Sequence, residues 1–410
     1  MGNTTPDRAI LHIDMNNFYA SVECLLNPAL RGLPVAVCGD KEERRGIVLA
    51  KNYLAKAKGV STGEAIWEAK LKCPDLVTVP PRFDEYVKYS RLAREIYERY
   101  TDQIEPFGID EVWADVTGSR RLFGEAPTIA DEIRRTVKSE LGLTVSVGVS
   151  FNKVFAKLGS DMKKPDAVTV INREDFREKI WDLPSSALLG VGRATEKNLA
   201  SVGIRTIGQM ARAPIELFKI RLGKNGEALW RYANGLDESE VVTRDVDVPD
   251  KSVGHGLTSP KDLTDPREVS RFILELCQDI GHRLYVFDKK ATGVAISVKN
   301  NELNVRQWQT RLGVPTQSPS QIAKEAFALF SKNYDWRLPV RAVSVRAINL
   351  VSNDTPYQLD IFADTERIAR IEALDRTVET LRRKYGEGII RNACLIGSPS
   401  FCAVEGMSYF

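Results

Sequence analysis

The spacing of apolar residues changes twice along this chain, and these changes limit what it can fold into. Residues 1–172 alternate short apolar strands with amphipathic helices, as in ILHIDMNNFYASVE, which predicts an α/β unit. From Leu183 onwards, short helices broken by glycine predict a separate helical unit. After a polar, helix-poor stretch at 245–255, strand-like alternation returns around a helix near 321–331. The expected fold class is therefore multidomain, α/β followed by a basic α+β unit.

Length and composition agree with several water-soluble units. A chain of 410 residues favours roughly two to four domains. With 43% apolar and 28% charged residues, and no apolar run near the ~20 residues of a membrane helix, no membrane role is expected. The opening residues lack the layout of a secretory signal, and Pro6 stands where a myristoylation motif needs Ser or Thr. A cytoplasmic location is expected.

Cysteine and histidine are too few and too scattered for a zinc site or a disulfide framework. The six cysteines include no CxxC pair, and the chain has only three histidines. We therefore expect the cysteines to be reduced packing residues.

Basic residues are concentrated in one segment. Residues 251–350 contain fifteen Lys or Arg and nine Asp or Glu, a surplus of six in a chain whose net charge is +3. This segment is a candidate DNA-binding surface, although a surplus of this size is also common on ordinary protein surfaces. The candidate contacts to the DNA backbone are Lys251, Lys299, Arg306, Arg341 and Arg346.

Three carboxylates stand where strands are predicted to end or turn. Asp14 follows the first apolar strand, and Asp110 and Glu111 are adjacent within GIDEVWAD. Neighbouring strand residues point to opposite faces, so this pair can share an ion only if the backbone turns, which Gly108 permits. Hard carboxylate ligands with no expected His or Cys neighbour favour Mg²⁺ or Mn²⁺, and two such ions can catalyse phosphoryl transfer. A single Asp in this position more often caps a helix.

Four motifs in a fixed order resemble a known family. They are DMNNFYASVE at 14–23, AKNYLAKAKGV at 50–60, GIDEVWAD at 108–115 and VGVSFNKVFAKLGSDMKKPD at 147–166. Together they resemble the Y-family of translesion DNA polymerases, most of all its bacterial DinB or polymerase IV branch. The resemblance implies a right-hand polymerase. Its implied domains are a palm at 1–17 and 83–172, fingers at 18–82, a thumb with a helix-hairpin-helix at 173–240, a linker at 241–250, a little finger at 251–350 and a C-terminal tail at 351–410.

The resemblance also implies a two-metal active site. Asp14 and Asp110 would bridge two Mg²⁺ ions, Glu111 would hold the ion at the primer 3′ end, and the carbonyl of Met15 would complete the nucleotide site. Mn²⁺ is an expected substitute. The implied activity is low-fidelity, template-directed transfer of dNTP to a primer 3′ hydroxyl on a primer–template DNA, with release of pyrophosphate, in translesion synthesis and DNA repair.

Other matched positions imply contacts to the incoming nucleotide. Tyr53, Lys56 and Lys164 match positions that hold the triphosphate, and Phe18 matches a position beside the nucleotide. Tyr19 matches the steric gate, an aromatic ring that collides with a ribose 2′-hydroxyl. Without the motifs, the lysines would be interpreted as solvated helix surface and Tyr19 as an ordinary buried aromatic residue.

Three residues depart from the family pattern. Lys56 replaces a common Arg, which keeps the charge and loses the bidentate fork, so weaker triphosphate binding is expected. Ala50 replaces a hydroxyl residue often present before the Asn-Tyr pair of that motif. Asn16 replaces an Asp that is not a metal ligand. None of the three departures changes a predicted metal ligand.

Two further segments suggest macromolecular partners. Gly190 and Gly192 stand in a GVG that resembles the hairpin of a helix-hairpin-helix, where backbone N–H groups approach DNA phosphates, although glycine here can also simply end a helix. The peptide QLDIF resembles the segment by which bacterial polymerases bind the sliding clamp, the beta subunit. It precedes a predicted helix at 365–385, so local packing is the competing interpretation. Its expected anchors are Gln358, Leu359, Ile361 and Phe362.

Two other functions use the same sequence features. A catalytically weak DNA-binding scaffold could keep the hand, but it would not need three carboxylates. A nucleotidyl cyclase on a related palm would need neither a thumb hairpin nor a clamp peptide. Dependence on primer and template separates the polymerase from the cyclase.

Overall fold

The structure, a computed structural model, describes residues 7–40, 46–243, 250–358 and 364–396. Within these ranges the chain forms two compact units. The first unit holds 7–38 and 48–243, and the second holds 39–40, 46–47, 250–358 and 364–396. No helix in this part of the chain combines the length and the apolar character needed to cross a membrane.

The first unit alternates strands and helices, as its apolar spacing predicts. Its strands are β1 (Ile10–Met15), β2 (Val35–Cys38), β3 (Val48–Lys51), β4 (Val77–Val79), β5 (Ile104–Pro106), β6 (Glu111–Asp115), β7 (Val145–Ser150) and β8 (Val168–Ile171). Its helices are α1 (Phe18–Leu26), α2 (Tyr53–Ala57), α3 (Ile66–Lys72), α4 (Phe83–Tyr97), α5 (Arg120–Phe123), α6 (Ala126–Leu141), α7 (Lys153–Met162), α8 (Phe176–Ile180), α9 (Arg193–Ala200), α10 (Ile207–Arg212) and α11 (Ile215–Ala233).

A five-stranded sheet in the order β5-β6-β1-β7-β8 forms the centre of the first unit. β1 lies between β6 and β7 and is antiparallel to both, while β8 pairs in parallel with β7. All six residues of β1 are buried. This burial explains its nearly continuous apolar sequence, because a central strand covered on both faces has no solvent side.

The two faces of this sheet pack against different helices. Leu11 and Ile13 of β1 belong to the main core, together with the buried sides of α4 and α6. Residues two apart on a strand share a face, so His12 and Asp14 point to the opposite face. That face is covered by α7, which packs on β1, β7 and β8.

α7 contacts β7 closely because β7 has a glycine where the two elements meet. A Cβ added at Gly148 would lie 1.9 Å from the carbonyl oxygen of Ala156 and 2.5 Å from the amide nitrogen of Ser160. Both atoms belong to the backbone of α7, so neither can rotate away. Gly159 faces the same point from the helix, since its added Cβ would lie 3.1 Å from the Cα of Gly148. These two glycines allow the short distance between α7 and the sheet.

Two smaller parts complete the first unit. A three-stranded sheet in the order β3-β2-β4 has its own small core, to which α2 and α3 contribute Ala55 and Ala69. The helices α8 to α11 pack against the first turns of α7, so that Phe155 shares a core with Phe218 and Leu229 of α11. The N-terminal end of α7 therefore anchors the helical part predicted from Leu183 onwards.

The second unit is α+β, as predicted. Its strands are β9 (Ser252–Leu263), β10 (Lys289–Asn300), β11 (Val305–Thr316) and β12 (Val340–Ser352), and its helices are α12 (Pro266–Val286), α13 (Pro319–Asn333) and α14 (Thr365–Tyr385). They form one sheet in the order β11-β10-β12-β9, with α12 and α13 packed on one face. The helices predicted near 321–331 and 365–385 correspond to α13 and α14.

The polar, helix-poor stretch 245–255 is not irregular throughout. β9 already begins at Ser252, after the expected linker at 241–250. Gly254 and Gly256 gave the stretch a loop-like composition. In the sheet these glycines are needed, because an added Cβ would lie 2.8 Å from Cγ of Arg346 and 2.5 Å from Cβ of Ser344 respectively. The long helix α12 was not predicted.

Candidate active site

The three carboxylates predicted as metal ligands lie at one end of the central sheet, close enough to influence one another electrostatically. Asp14 is opposite Glu111 in the β1–β6 pairing, and it is only 6% exposed to solvent. Asp110 lies in the turn between β5 and β6, and its carbonyl oxygen accepts a hydrogen bond of 3.0 Å from the amide of Met15. The turn near Gly108, which the sequence analysis required, is therefore present, since the amides of Phe107 and Gly108 both bind the carbonyl of Glu111.

Burial makes this acidic group electrostatically costly. Burial raises the pKa of Asp14 to about 6, although Lys164 opposes the shift. Burial and the neighbouring Glu111 also raise the pKa of Asp110. No three His, Cys, Asp or Glu side chains of the described residues are grouped closely enough to enclose a metal ion as they lie. The donors nevertheless fit a hard divalent ion, because they are carboxylate oxygens and the charge of Asp14 and Asp110 is incompletely compensated.

Two lysines of the motif at 147–166 contact these acids. Lys164 Nζ lies 2.8 Å from Asp14 Oδ2, and Lys157 Nζ lies 2.7 Å from Glu111 Oε2. Burial would lower the pKa of Lys164, but Asp14 outweighs it and raises that pKa. Lys164 was expected at the site, whereas Lys157 was not singled out, although its place in FNKVFAK is visible in the sequence.

A histidine also lies at the site, contrary to the expectation of carboxylates with no histidine nearby. The Nε2 atom of His12 is 3.3 Å from Glu111 Oε2. Burial alone would raise the pKa of Glu111, but hydrogen bonds from His12 and Lys157 lower it to about 2. Sequence alone offered a signal, since residues 12 and 14 must share a face of any strand that contains both.

The loop that carries Lys164 is tied to β1 through Asn16. The amide of Asp166 donates to Asn16 Oδ1 at 2.9 Å, and Asn16 Nδ2 donates to Ser146 Oγ at 2.9 Å. Asn16 is only 2% exposed, so both contacts are sheltered from water. The carboxylate of Asp166 is held in turn by Arg134 at 2.6 Å. Asn16, a departure from the family pattern, thus connects the lysine loop to the acidic strand.

The ring of Tyr19 lies in a cluster of aromatic side chains. It stacks on the fully buried ring of Tyr86, with centroids 4.2 Å apart and an angle of 11° between the planes. The hydroxyl of Tyr86 donates to Glu23 at 2.7 Å. Phe18 was expected beside the nucleotide, but it is buried behind this cluster, with its centroid 5.7 Å from that of Tyr19. Neither Tyr86 nor Glu23 was expected, because 63 positions separate them in sequence.

The other expected triphosphate residues lie at the start of α2. Asn52 caps this helix by accepting a hydrogen bond of 3.0 Å from the amide of Ala55. Burial raises the pKa of Tyr53, while the charge of Lys164 acts to lower it, so the phenol is within electrostatic reach of the lysine loop. Lys56 lies one turn further on, with Nζ 5.7 Å from the centroid of the Tyr53 ring. Ala50 is half-buried on β3.

Comparison with known proteins places this geometry in a family. The model of the impB/mucB/samB family matches residues 13–161, and the model of its C-terminal domain matches residues 250–361. A third model, the DNA polymerase-iota thumb domain, matches residues 186–237. A protein named DNA polymerase IV from Acetivibrio thermocellus is 50% identical over 389 residues, covering 95% of this chain and 98% of the relative. This chain belongs to the Y-family of DNA polymerases.

Further similarities agree with this family. DNA polymerase IV 1 of Bacillus subtilis (strain 168) is 37% identical over 390 residues, covering 95% of this chain and 93% of that protein. The solved structure of a Y-family DNA polymerase chimera has a TM-score of 0.75 and 24% identity, covering 84% of this chain and all of its own. The expected right-hand fold class is thus confirmed for this Y-family polymerase, and its family implies dependence on divalent metal ions.

The expected DNA contacts of this Y-family polymerase do not share one surface of the sheet in the second unit. Directly paired residues share a face, so Lys299 and Arg346 lie on the side away from α12 and α13. Arg306 pairs with the buried Val298 and therefore lies on the helix side, where it is 3.8 Å from Asp335. This placement separates Arg306 from the other two. Arg311, opposite Gly293, shares the outer face and was missed.

The remaining expected contacts of the polymerase are on loops and strand ends. Gly190 has a φ of +89°, and Gly192 is the N-cap of α9, where an added Cβ would meet no atom within 4 Å. Lys251 directly precedes β9, and Arg341 follows the first residue of β12 next to an irregularity in its pairing. Of the expected clamp peptide, Gln358 is described, whereas Leu359, Ile361 and Phe362 lie outside the described residues.

Proposed function

We propose that Asp14, Asp110 and Glu111 of this translesion DNA polymerase hold two Mg²⁺ ions, with the carbonyl of Met15 as a further ligand. The observation that carries this proposal is the β1–β6 register, which sets Asp14 opposite Glu111 while Met15 binds the backbone of Asp110. Bound divalent ions supply charge neutralisation at the attacking and leaving oxygens of phosphoryl transfer. Mn²⁺ has similar ligand preferences and would replace Mg²⁺.

The side chains around the acids would bind the incoming dNTP. We assign Lys164, Tyr53 and Lys56 to the triphosphate, since Lys164 lies against a ligand carboxylate and Tyr53 is within its electrostatic reach. Lys56 offers a point charge where a guanidinium would offer a fork, so its contribution to triphosphate affinity is modest. These groups position the nucleotide and neutralise charge as pyrophosphate leaves.

Tyr19 would act as the steric gate against ribonucleotides. Its ring is supported from behind by the stacked ring of Tyr86, which is itself held through Glu23. A ring with such support cannot move away from a 2′-hydroxyl without disturbing the core. Phe18 would act on the nucleotide only through this cluster.

We also propose contacts with primer–template DNA and with the sliding clamp, each for its own reason. The N-cap at Gly192 and the outer-face residues Lys299 and Arg346 would contact the backbone of primer–template DNA, in agreement with their exposure. The peptide beginning at Gln358 would bind the sliding clamp, and the setting would be cytoplasmic. The palm, fingers, thumb, linker, little finger and tail would follow the boundaries expected from the sequence.

Template-directed synthesis is the test of this function. A labelled primer annealed to templates with each of the four bases should be extended with the complementary dNTP in Mg²⁺, and also opposite an abasic site, because translesion synthesis tolerates a missing base. The Asp110→Ala plus Glu111→Ala variant should still bind the DNA in a gel-shift assay but should not extend the primer. Wild-type protein that binds DNA and adds no nucleotide in Mg²⁺ or Mn²⁺ would contradict the proposal.

Replacing Asn16 should weaken binding of the incoming nucleotide. In Asn16→Ala the loop of Lys164 loses its hydrogen bond from Asp166 and its link to Ser146. We expect the KM for dNTP to rise about 10-fold, the equivalent of one or two buried hydrogen bonds at about 1 kcal/mol each, with DNA affinity unchanged. Single-nucleotide insertion kinetics measures both constants.

Asn16→Asp is the matched control, because the carboxylate keeps an acceptor for the amide of Asp166 and can accept from the hydroxyl of Ser146. Its KM should stay closer to that of the wild type. An equal rise in both variants would mean that the amide does not act through this loop.

A further inference from the structure

A buried chain of polar groups lies beneath Glu111. His12 is fully buried on β1, and its Nδ1 atom is 2.8 Å from the hydroxyl oxygen of Ser160 on α7. Its Nε2 atom lies 3.3 Å from Glu111 Oε2, although among the described residues it makes no aligned hydrogen bond. The hydroxyl of Ser160 donates to the carbonyl of Lys157 at 2.8 Å. The imidazole therefore spans the distance between the helix and the carboxylate.

The surroundings fix the orientation of the imidazole ring. Trp113 packs edge-on against it with centroids 5.4 Å apart, and Phe107 does so at 6.5 Å. On the third side lies α7, which packs on β1 and whose Ser160 contacts Nδ1.

The two ends of the imidazole have different neighbours. Nδ1 lies against the hydroxyl oxygen of Ser160, which itself donates to the carbonyl of Lys157 at 2.8 Å. Nε2 faces a carboxylate oxygen, toward which an N–H is attractive and a lone pair is repulsive. Lys157 neutralises the same carboxylate oxygen but, as a flexible ammonium group, sets its direction less strictly.

We propose that His12, held at Nδ1 by Ser160, is a positioning residue that orients the carboxylate of Glu111 toward the metal at the primer terminus. This inference rests on the proposed function of Glu111. Groups that orient metal ligands in this way influence metal affinity and activity about 10- to 100-fold. His12 would act through Glu111 and would not itself be a metal ligand.

The test compares His12→Phe with His12→Gln. Phenylalanine keeps the ring volume and lacks the donor, whereas the glutamine amide can place an N–H near the position of Nε2. Metal binding is measured without chemistry, by Mn²⁺ electron paramagnetic resonance on the enzyme bound to a dideoxy-terminated primer–template and dNTP. We expect His12→Phe to weaken Mn²⁺ binding about 10- to 100-fold and His12→Gln to recover most of that loss.

Activity and folding are measured beside metal binding. The kcat of His12→Phe should fall in parallel with its Mn²⁺ affinity, while the KM for dNTP changes less than about threefold, since the triphosphate groups are untouched. Unchanged Mn²⁺ affinity in His12→Phe would overturn the proposal, and so would equal losses in the Phe and Gln variants, which would indicate packing alone. If His12→Phe does not fold, Ser160→Ala replaces it and should weaken Mn²⁺ binding by a smaller factor in the same direction.

The proposed function can fail separately from this inference. Failure of wild-type protein to extend an ordinary primer would reject the polymerase mechanism, whereas the Mn²⁺ measurement reports on His12 and Glu111 whether or not nucleotides are added.

Discussion

Asp14→Asn is expected to abolish nucleotide addition and at the same time to stabilise the first unit. A neutral amide removes one charged metal ligand, and we expect extension to fall about 10³-fold, the upper range for loss of one strong electrostatic contact in an active site. The stability gain follows from burial, which raises the pKa of Asp14 from 3.8 to about 6. The folded protein thus binds this proton more tightly than the unfolded chain does, so ionisation of Asp14 opposes folding.

The pH window of this effect is defined by the same two values. The penalty is absent below about pH 4, develops as the pH rises to about 6 and is constant above it, where the shift corresponds to about 3 kcal/mol. Lys164 loses one partner in the variant but keeps Asp161 at 2.9 Å, so we expect a net gain of about 2 kcal/mol at pH 7.5. Urea unfolding in EDTA, followed by tryptophan fluorescence, measures the difference at pH 7.5 and at pH 5, where it should shrink.

Asp161→Asn is the matched control for this prediction. It removes a carboxylate that contacts the same lysine but is half-exposed, so no stabilisation is expected. A variant Asp14→Asn that is no more stable than wild type at pH 7.5 would show that Lys164 fully compensates the buried charge.

Gly148→Ala is expected to have the largest effect on stability. Its methyl group would overlap the backbone of α7 at Ala156 and Ser160, so the helix must move outward by more than an ångström. We expect a loss of about 3 kcal/mol or more in the free energy of unfolding, beyond the usual range for one added methylene, because backbone atoms cannot adopt another rotamer. The same movement would carry Lys157 and Ser160 away from the acids, so activity should fall even in the folded fraction.

Gly118→Ala provides the comparison, since a Cβ there meets no atom within 4 Å and its φ is not positive. Its unfolding midpoint should match that of the wild type. Equal midpoints for both variants would contradict the close packing of α7 on β7.

The candidate metal ligands could be predicted from the sequence, whereas the residues that hold the site in place could not. Asp14, Asp110 and Glu111 occur in short motifs whose order is informative, and the turn at Gly108 could be expected from the need to bring neighbouring carboxylates together. His12 and Tyr86 act through contacts made across the sheet and between helices. Such contacts depend on register and on helix height, which local periodicity does not specify.

The same limit applies to the basic residues of the second unit. The basic surplus of residues 251–350 was visible in the sequence, but the side of the sheet occupied by each residue was not. Lys299 and Arg306 lie on strands whose spacing looks alike, and only their pairing with Val305 and Val298 assigns them to opposite faces. The glycines of β9 look like loop residues in the sequence for a related reason, because their close approach to β12 depends on the tertiary fold.

The outer face of that sheet, on the side away from α12 and α13, carries mostly small side chains. Across its middle the pairing aligns residues with small side chains or none, namely Gly254, Gly256, Gly293, Ala295, Ser297 and Ser344. Charge on this face comes from Arg346, which pairs with Ala295 and Gly254, and from Lys299 and Arg311, while the neighbouring side chains are short. A nucleic acid lying on it would be held by ionic attraction and not by the reading of base edges, so occupancy would depend on salt and hardly on sequence. Distorted duplexes would meet no obstacle there, and the choice of where to act would be left to other parts of the molecule.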